Sequence, residues 1–159
     1  MDTLQYILHH LNTHKQIVCT AESCTGGLLA GELTRLPGSS AIFTHGWVTY
    51  SNFAKMQQLG VRSDTLQKYG AVSKQTVQEM ANAALRIAQA NYAIAISGIA
   101  GPTGGSADKP IGTVCFALCT KKQIITEIKY FPDSRDAVRQ QAVEYALQLL
   151  KENLYSTTS

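Results

Sequence analysis

The chain is predicted to be an α/β domain whose mixed sheet is covered by helices on both faces. Short apolar runs with branched residues alternate with longer stretches that carry apolar residues at helical spacing. Glycine-rich segments follow the ends of two of the apolar runs. Two late runs are joined so closely, at Lys121-Lys122, that they form a hairpin and must be antiparallel, which makes the sheet mixed.

Each element has its own signal. Leu4, Ile7, Leu8 and Leu11 predict an amphipathic helix over the first 14 residues. Ile17-Val18-Cys19-Thr20-Ala21 has the length and branching of a buried strand. It runs through Glu22-Ser23-Cys24-Thr25-Gly26-Gly27 into a helix starting at Leu28, which Leu36-Pro37-Gly38-Ser39-Ser40 ends. Residues 41–50 read as a second strand, followed by a helix through Phe53, Met56 and Leu59 up to Gly60 and a short one over 64–69. Ser73 is the N-cap of a long helix with a Val77, Met80, Ala81, Ala84, Ile87, Ala88 stripe. Tyr92 to Ile96 is a buried strand that empties into the Gly/Pro-rich loop 97–106. The hairpin strands span 112–119 and 123–130, and Ser134 caps a last helix with Val138, Ala142, Tyr145, Ala146 and Leu149 on one face. One domain over 1–159 is expected, with 155–159 a frayed tail.

Composition narrows the function. A chain of 159 residues buries about two thirds of its unfolded surface and needs neither metal nor disulfide to fold. The net charge of +3 comes without any block of like charges, which argues against broad nucleic-acid binding and suits a small anionic substrate. Cys19, Cys24, Cys115 and Cys119 show no CxxC spacing and read as buried or site-lining thiols of a reducing compartment. The N-terminal segment lacks the marks of a signal peptide, and no apolar run nears the ~20 residues of a membrane span, so cytoplasm is expected.

Sites in open α/β sheets gather where strands empty into loops, and three such exits stand out. Ser23 lies between a buried strand and a glycine-rich helix start. The backbone N–H groups of Thr25, Gly26 and Gly27 there suit an oxyanion hole, and plain helix capping by Ser23 and Thr25 fits the same position. Tyr50 and Lys55 follow the second strand. Their spacing of five differs from the four of short-chain dehydrogenases, and no GxGxxG follows the first strand, so an oxidoreductase is disfavoured. The loop carrying Gly98, Gly101 and Thr103 brings backbone N–H groups close to a phosphate or carboxamide, and an ordinary surface loop has the same composition. Arg135 and Arg139 open the last helix, where cations oppose the helix dipole unless an anion is bound. Arg139 is the stronger candidate, and Arg135 reads more readily as a solvated charge. His10 and His14 share a helical face without a third ligand, a structural hydrogen bond suffices for Glu22, and His45 lacks the surroundings of a Ser-His-Asp triad.

The strings AESCTGGLLAGELT, GSSAIFTHGWVTYSNFAK, YGAVSKQTV, AISGIAGPTGG and RDAVRQQAVEYAL, in this order, resemble the CinA-like C-terminal domains along nearly the whole chain. That family includes stand-alone nicotinamide-nucleotide amidohydrolases. The resemblance implies a three-layer α/β/α sandwich with a mixed, mostly parallel sheet. It also implies a serine-lysine dyad with nucleophile Ser23, general base Lys55 and assisting Tyr50, and no metal or organic cofactor. Thr25, Gly26, Gly27, Gly98, Gly101, Thr103 and Arg139 are the expected substrate-binding residues. Where the family often has Phe-x-Gly-Asp-Arg before the last helix, this chain has Phe131-Pro132-Asp133-Ser134-Arg135. Partners are expected to be a small nucleotide and further copies of the chain, a dimer first, with neither nucleic acid nor membrane.

The implied reaction converts nicotinamide mononucleotide to nicotinate mononucleotide and ammonia, in pyridine nucleotide recycling. It requires Lys55 to be neutral near pH 7 against a free value near 10.4, a shift of ~3 units or roughly 4 kcal/mol. Lys55 is therefore expected to be buried beside the Ser23 hydroxyl, with Tyr50 hydrogen-bonded to one of the pair. The alternatives are a catalytically silent nucleotide-binding relative and a serine-lysine amidase for another small amide.

Overall fold

Alternation along the strands separates two kinds of core. In the computed structural model, which describes residues 1–157, five strands carry it: β1 (Val18–Glu22), β2 (Phe43–Val48), β3 (Tyr92–Gly98), β4 (Thr113–Cys119) and β5 (Ile124–Tyr130). Val18, Ile94, Ile96, Val114, Phe116 and Leu118 project to one face and form a core of large side chains. Their strand neighbours Cys19, Ala21, Ala93, Ala95, Cys115, Ala117 and Cys119 project to the other face and are nearly all small.

Six helices fill the outer layers: α1 (Thr3–His14), α2 (Leu28–Leu33), α3 (Asn52–Leu59), α4 (Ser63–Tyr69), α5 (Lys74–Ala88) and α6 (Arg135–Glu152). The large-residue face takes α1 through Leu4, Ile7, Leu8 and Leu11, α2 through Leu29 and Leu33, and α6 through Val138, Ala142, Val143, Ala146 and Leu150. The small-residue face takes α5, whose Ala81, Ala84 and Ala88 allow close approach to the sheet, with Leu59 of α3 and Leu66 of α4 beside it. Asp2 closes a capping box with Gln5 at the start of α1, and the expected caps Ser73 and Ser134 accept from Thr76 N and Ala137 N.

The strand order is β2-β1-β3-β4-β5. β1 pairs in parallel with both β2 and β3, while β3–β4 and β4–β5 are antiparallel. Only β4 runs against the other four strands, so the sheet is mixed as expected and mostly parallel in strand direction, although its pairings divide evenly. The β3–β4 pair is antiparallel because the segment between them contains no helix and therefore no crossover. β1 lies between its successors β2 and β3, so its carboxyl end is the point at which the chain switches sides, where open α/β sheets hold their ligands.

Two boundaries differ from the sequence reading. The second strand is shorter, because residues 39–41 form a 3₁₀ turn before Phe43. The expected frayed tail does not begin at Tyr155. The Tyr155 ring packs 5.0 Å from that of Tyr92, its N–H donates to Tyr92 Oη at 3.0 Å, and its carbonyl accepts from Gln16 Nε2 at 2.9 Å. An aromatic side chain near the chain end found a buried phenol to dock on. Residues 158–159 of that segment lie outside the described residues.

Candidate active site

The site begins with the local fold of the segment after β1. Gly26 and Gly27 adopt φ of +56° and +102°, a region that favours glycine, and so turn the chain sharply from β1 into α2. Ser23 sits at the start of this turn, with its N–H donated to Ile96 O on β3 at 2.9 Å. Gly27 at the N-cap offers α2 no side chain. The carboxylate of fully buried Glu22 takes that place, accepting from Leu29 N at 2.9 Å, Ala30 N at 3.0 Å and Thr25 Oγ1 at 2.6 Å.

The second component comes from the exit of β2. Ser51 caps α3 by accepting from Ala54 N at 3.0 Å, and one turn in, Lys55 points toward the sheet with Leu59 one turn further. Lys55 is 1% exposed. Its Nζ donates to Ser23 Oγ at 3.0 Å and to the Thr49 carbonyl at 2.8 Å, both neutral oxygens. Burial without a counter-charge disfavours the ammonium and lowers its pKa from the ordinary lysine value to about 8. A Cys24 thiolate would oppose this, but burial pushes that thiol up to about 11, so at neutral pH it carries no charge.

A cavity of about 270 Å³ opens over this pair. Ser23, Cys24 and Lys55 form its floor end, Ser97 to Gly101 and Thr103-Gly104 one wall, and Tyr50, Asn52, Ala71, Val72 and Arg135 the remainder. Among the described residues no carboxylate lines it, and its basic side chains are Lys55 and Arg135. Arg135 Nη1 donates to Gly101 O at 2.7 Å and its Nη2 to Tyr50 Oη at 2.9 Å. The guanidinium thus spans the mouth from the glycine-rich loop to the end of β2. An arginine in this position suits an anion. Gly98 is held close on both sides, since a Cβ there would lie 2.8 Å from Val114 Cγ2 and 3.1 Å from Cys24 Sγ.

The structure thus brings Ser23, Lys55, Tyr50, Gly98, Gly101 and Thr103 to one cavity and leaves four expected residues outside it. Thr25 is buried with its hydroxyl donated to Glu22, and Gly26 N–H is donated to Ser23 O at 3.0 Å. Gly27 serves as the α2 N-cap, and Arg139 donates from Nε to Cys24 O at 3.1 Å, bracing the loop from outside. The turn itself takes up the Thr25 hydroxyl and the Gly26 N–H, Gly27 is set by the entry into α2, and Arg139 is engaged by the Cys24 carbonyl. Arg135 stands where Arg139 was expected, because the first residue of α6 faces the cavity mouth and the residue one turn later faces the loop. Tyr50 is corrected in its partner, since its hydroxyl accepts from Arg135 instead of bonding Ser23 or Lys55.

Asn52, Ser97, Ala71 and Val72 are cavity residues with no signal of their own in the sequence, because three different segments bring them together. The four cysteines are free and buried. His10 Nε2 lies 2.9 Å from Tyr155 O, and His45 stacks on Trp47 at 5.7 Å. Among the described residues no group of histidine, cysteine, aspartate or glutamate has the makings of a metal site, and no helix is long and apolar enough to cross a membrane.

Comparison with known proteins finds relatives along nearly the whole chain. The family profile described as CinA C-terminal domain matches residues 2–154. The chain is 55% identical over 142 residues to the protein named nicotinamide-nucleotide amidohydrolase PncC of Escherichia coli strain K12, covering 89% of this chain and 86% of that one. It is 45% identical to a putative competence-damage inducible protein of Clostridium novyi, covering 96% of this chain and 37% of that longer one. Among solved structures, competence/damage inducible protein CihA from Agrobacterium tumefaciens superposes with a TM-score of 0.90 at 44% identity, covering 93% of this chain and 91% of that one. A competence damage-inducible protein A from Klebsiella pneumoniae gives 0.92 at 40% identity, covering 95% and 94%. With a family match over residues 2–154 and solved relatives superposing at TM-scores of 0.90 and 0.92, this chain belongs to the CinA C-terminal domain family.

Proposed function

We propose that this protein hydrolyses the carboxamide of nicotinamide mononucleotide to nicotinate mononucleotide and ammonia, within pyridine nucleotide recycling, using Ser23 as nucleophile and Lys55 as general base. The observation that carries the reading is a buried lysine amine, depressed to about 8, at 3.0 Å from a serine hydroxyl in a cavity that no carboxylate of the described residues lines. The amidohydrolase name of the Escherichia coli relative supplies the substrate class.

The substrate enters with its phosphate at the Arg135 end and its carboxamide over Ser23. About one tenth of Lys55 is neutral at pH 7 with a pKa near 8. With one N–H held by the Thr49 carbonyl, the lone pair of that amine turns to the Ser23 hydroxyl and takes its proton as Oγ attacks the carboxamide carbon. Collapse of the tetrahedral intermediate breaks the C–N bond, and the lysine hands its proton to the departing nitrogen, which leaves as ammonia. Water then attacks the acyl-enzyme, Lys55 takes a proton from it and returns one to Ser23 Oγ, and the carboxylate product is released. Tyr50 contributes by steadying Arg135, and the Gly98–Thr103 loop lies against the ring and ribose.

The test is ammonia release by purified Ser23→Ala and Lys55→Ala variants with nicotinamide mononucleotide. Each is expected to lose about 10³-fold or more in kcat. A rate near the wild type in either variant removes that residue from the mechanism. A wild type that is silent with this nucleotide but releases ammonia from other small amides moves the substrate assignment to them.

A further inference from the structure

The residue that precedes the nucleophile is a fully buried carboxylate with no cationic partner, and the reaction scheme does not use it. A buried carboxylate is costly unless donors surround it, and here three do. Two of them are main-chain N–H groups of α2, seven and eight residues further along the chain, and the third is Thr25 Oγ1, inside the turn. The side chain therefore closes the 23–27 loop on itself. The same residue's main chain acts in the other direction. Glu22 O accepts from Thr49 N at 2.9 Å, and the Thr49 carbonyl accepts from Lys55 Nζ at 2.8 Å. A continuous path of hydrogen bonds runs from α2 through Glu22 and Thr49 to the lysine amine.

We propose that Glu22 is the positioning residue that sets the Ser23–Lys55 separation, its carboxylate fixing the loop that bears the nucleophile and its carbonyl fixing the strand exit that holds the base. This rests on the serine-lysine reading above. A carboxylate needed only to cap α2 would lie at the N-cap itself. That position is Gly27 at φ +102°, forced by the turn that presents Ser23. Capping is therefore delegated to the last residue of β1, and the helix, the turn and the strand become one unit. Misplacement of a nucleophile by about 1 Å costs about 10²-fold in rate, so this unit governs kcat.

The experiment compares Glu22→Gln and Glu22→Asp with wild type and with Ser23→Ala, by ammonia release and by crystal structures. Glutamine keeps one acceptor oxygen but turns an NH₂ group toward a helix N–H. Aspartate keeps the charge and loses the reach. Both are expected to lower kcat by about 10–100-fold with KM within about threefold. The pH at half-maximal rate stays in place, and the Ser23 Oγ–Lys55 Nζ distance widens from 3.0 Å to beyond about 3.5 Å. A folded Glu22→Gln with wild-type kcat and an unchanged distance overturns the proposal, as does full activity in Glu22→Asp, which would assign the effect to charge. If the glutamine variant does not fold, Thr25→Val, which removes one of the three donors, is read the same way with a smaller loss. Ammonia release that persists in Ser23→Ala refutes the dyad, and the distance in Glu22→Gln then still decides the positioning role.

Discussion

At one end of the cavity a lysine is sealed from water and bonded only to neutral oxygens. At the other an exposed arginine reaches across the mouth to a carbonyl and a phenol. Both side chains are of basic type and share one pocket, yet burial favours the uncharged form of the lysine amine, whereas a guanidinium is charged in any setting. The difference teaches that residue type and burial assign the two roles together. The burial that acts on the amine follows from which element delivers the side chain. Lys55 comes from the inward face of α3 beneath the sheet exit, and Arg135 from the first turn of α6 at the rim.

Substitutions at the two ends should separate cleanly. Lys55→Ala is expected to remove about 10³-fold or more from kcat, the largest effect, with little change in KM. In the wild type the rate should fall about tenfold per pH unit below pH 8 and level off above it, following the neutral amine. A pH profile flat between 6 and 9 would break the contrast.

Stability gives the next largest signal. The unfolded lysine holds its proton to about pH 10.4, the folded one only to about 8, so between those values the unfolded state binds more protons. Folding stability from this residue is therefore full above pH 10.4 and declines by about 3 kcal/mol as the pH falls to 8. Denaturant melts at both pH values, compared with Lys55→Met, isolate the effect. In the methionine variant that increment should vanish.

Arg135→Ala is expected to cost about 10²-fold in kcat/KM, mostly through KM, and to leave turnover of a phosphate-free nicotinamide riboside nearly unchanged. Equal losses on both substrates would mean that Arg135 does not meet the phosphate. The smallest effect belongs to Tyr50→Phe. Its hydroxyl supports Arg135 and does not reach the dyad, so a loss of about three- to tenfold, expressed in KM, is expected. A large kcat loss would return Tyr50 to the lysine.

The two ends also differ in how far the amino-acid sequence discloses them. The turn bearing Ser23 is legible because a buried strand runs directly into two glycines and a helix, a pattern with few structural solutions. Lys55 is harder to see. Spacing alone makes it one more lysine on an amphipathic helix, and only the resemblance across several strings singles it out. The Arg135–Arg139 assignment inverts because helical periodicity gives the angle between two residues and not which of them meets a loop from elsewhere. Asn52 and Ser97 stay hidden for the same reason. Gly26 illustrates another limit: a turn rich in donors looks like a ligand site until its internal hydrogen bonds are traced, and the Gly26 N–H is donated to Ser23 O. The antiparallel β3–β4 pair depends on the absence of a crossover helix, which the loop composition around Gly98–Gly105 discloses only in part.

Direct titration of the Lys55 amine, by NMR of protein carrying labelled lysine with Lys55→Met for assignment, tests the central point. A midpoint near 8, two units or more below the exposed lysines, is the expected result. A midpoint near 10.4 would mean that the amine beside Ser23 stays charged at neutral pH, and the serine-lysine chemistry would be contradicted.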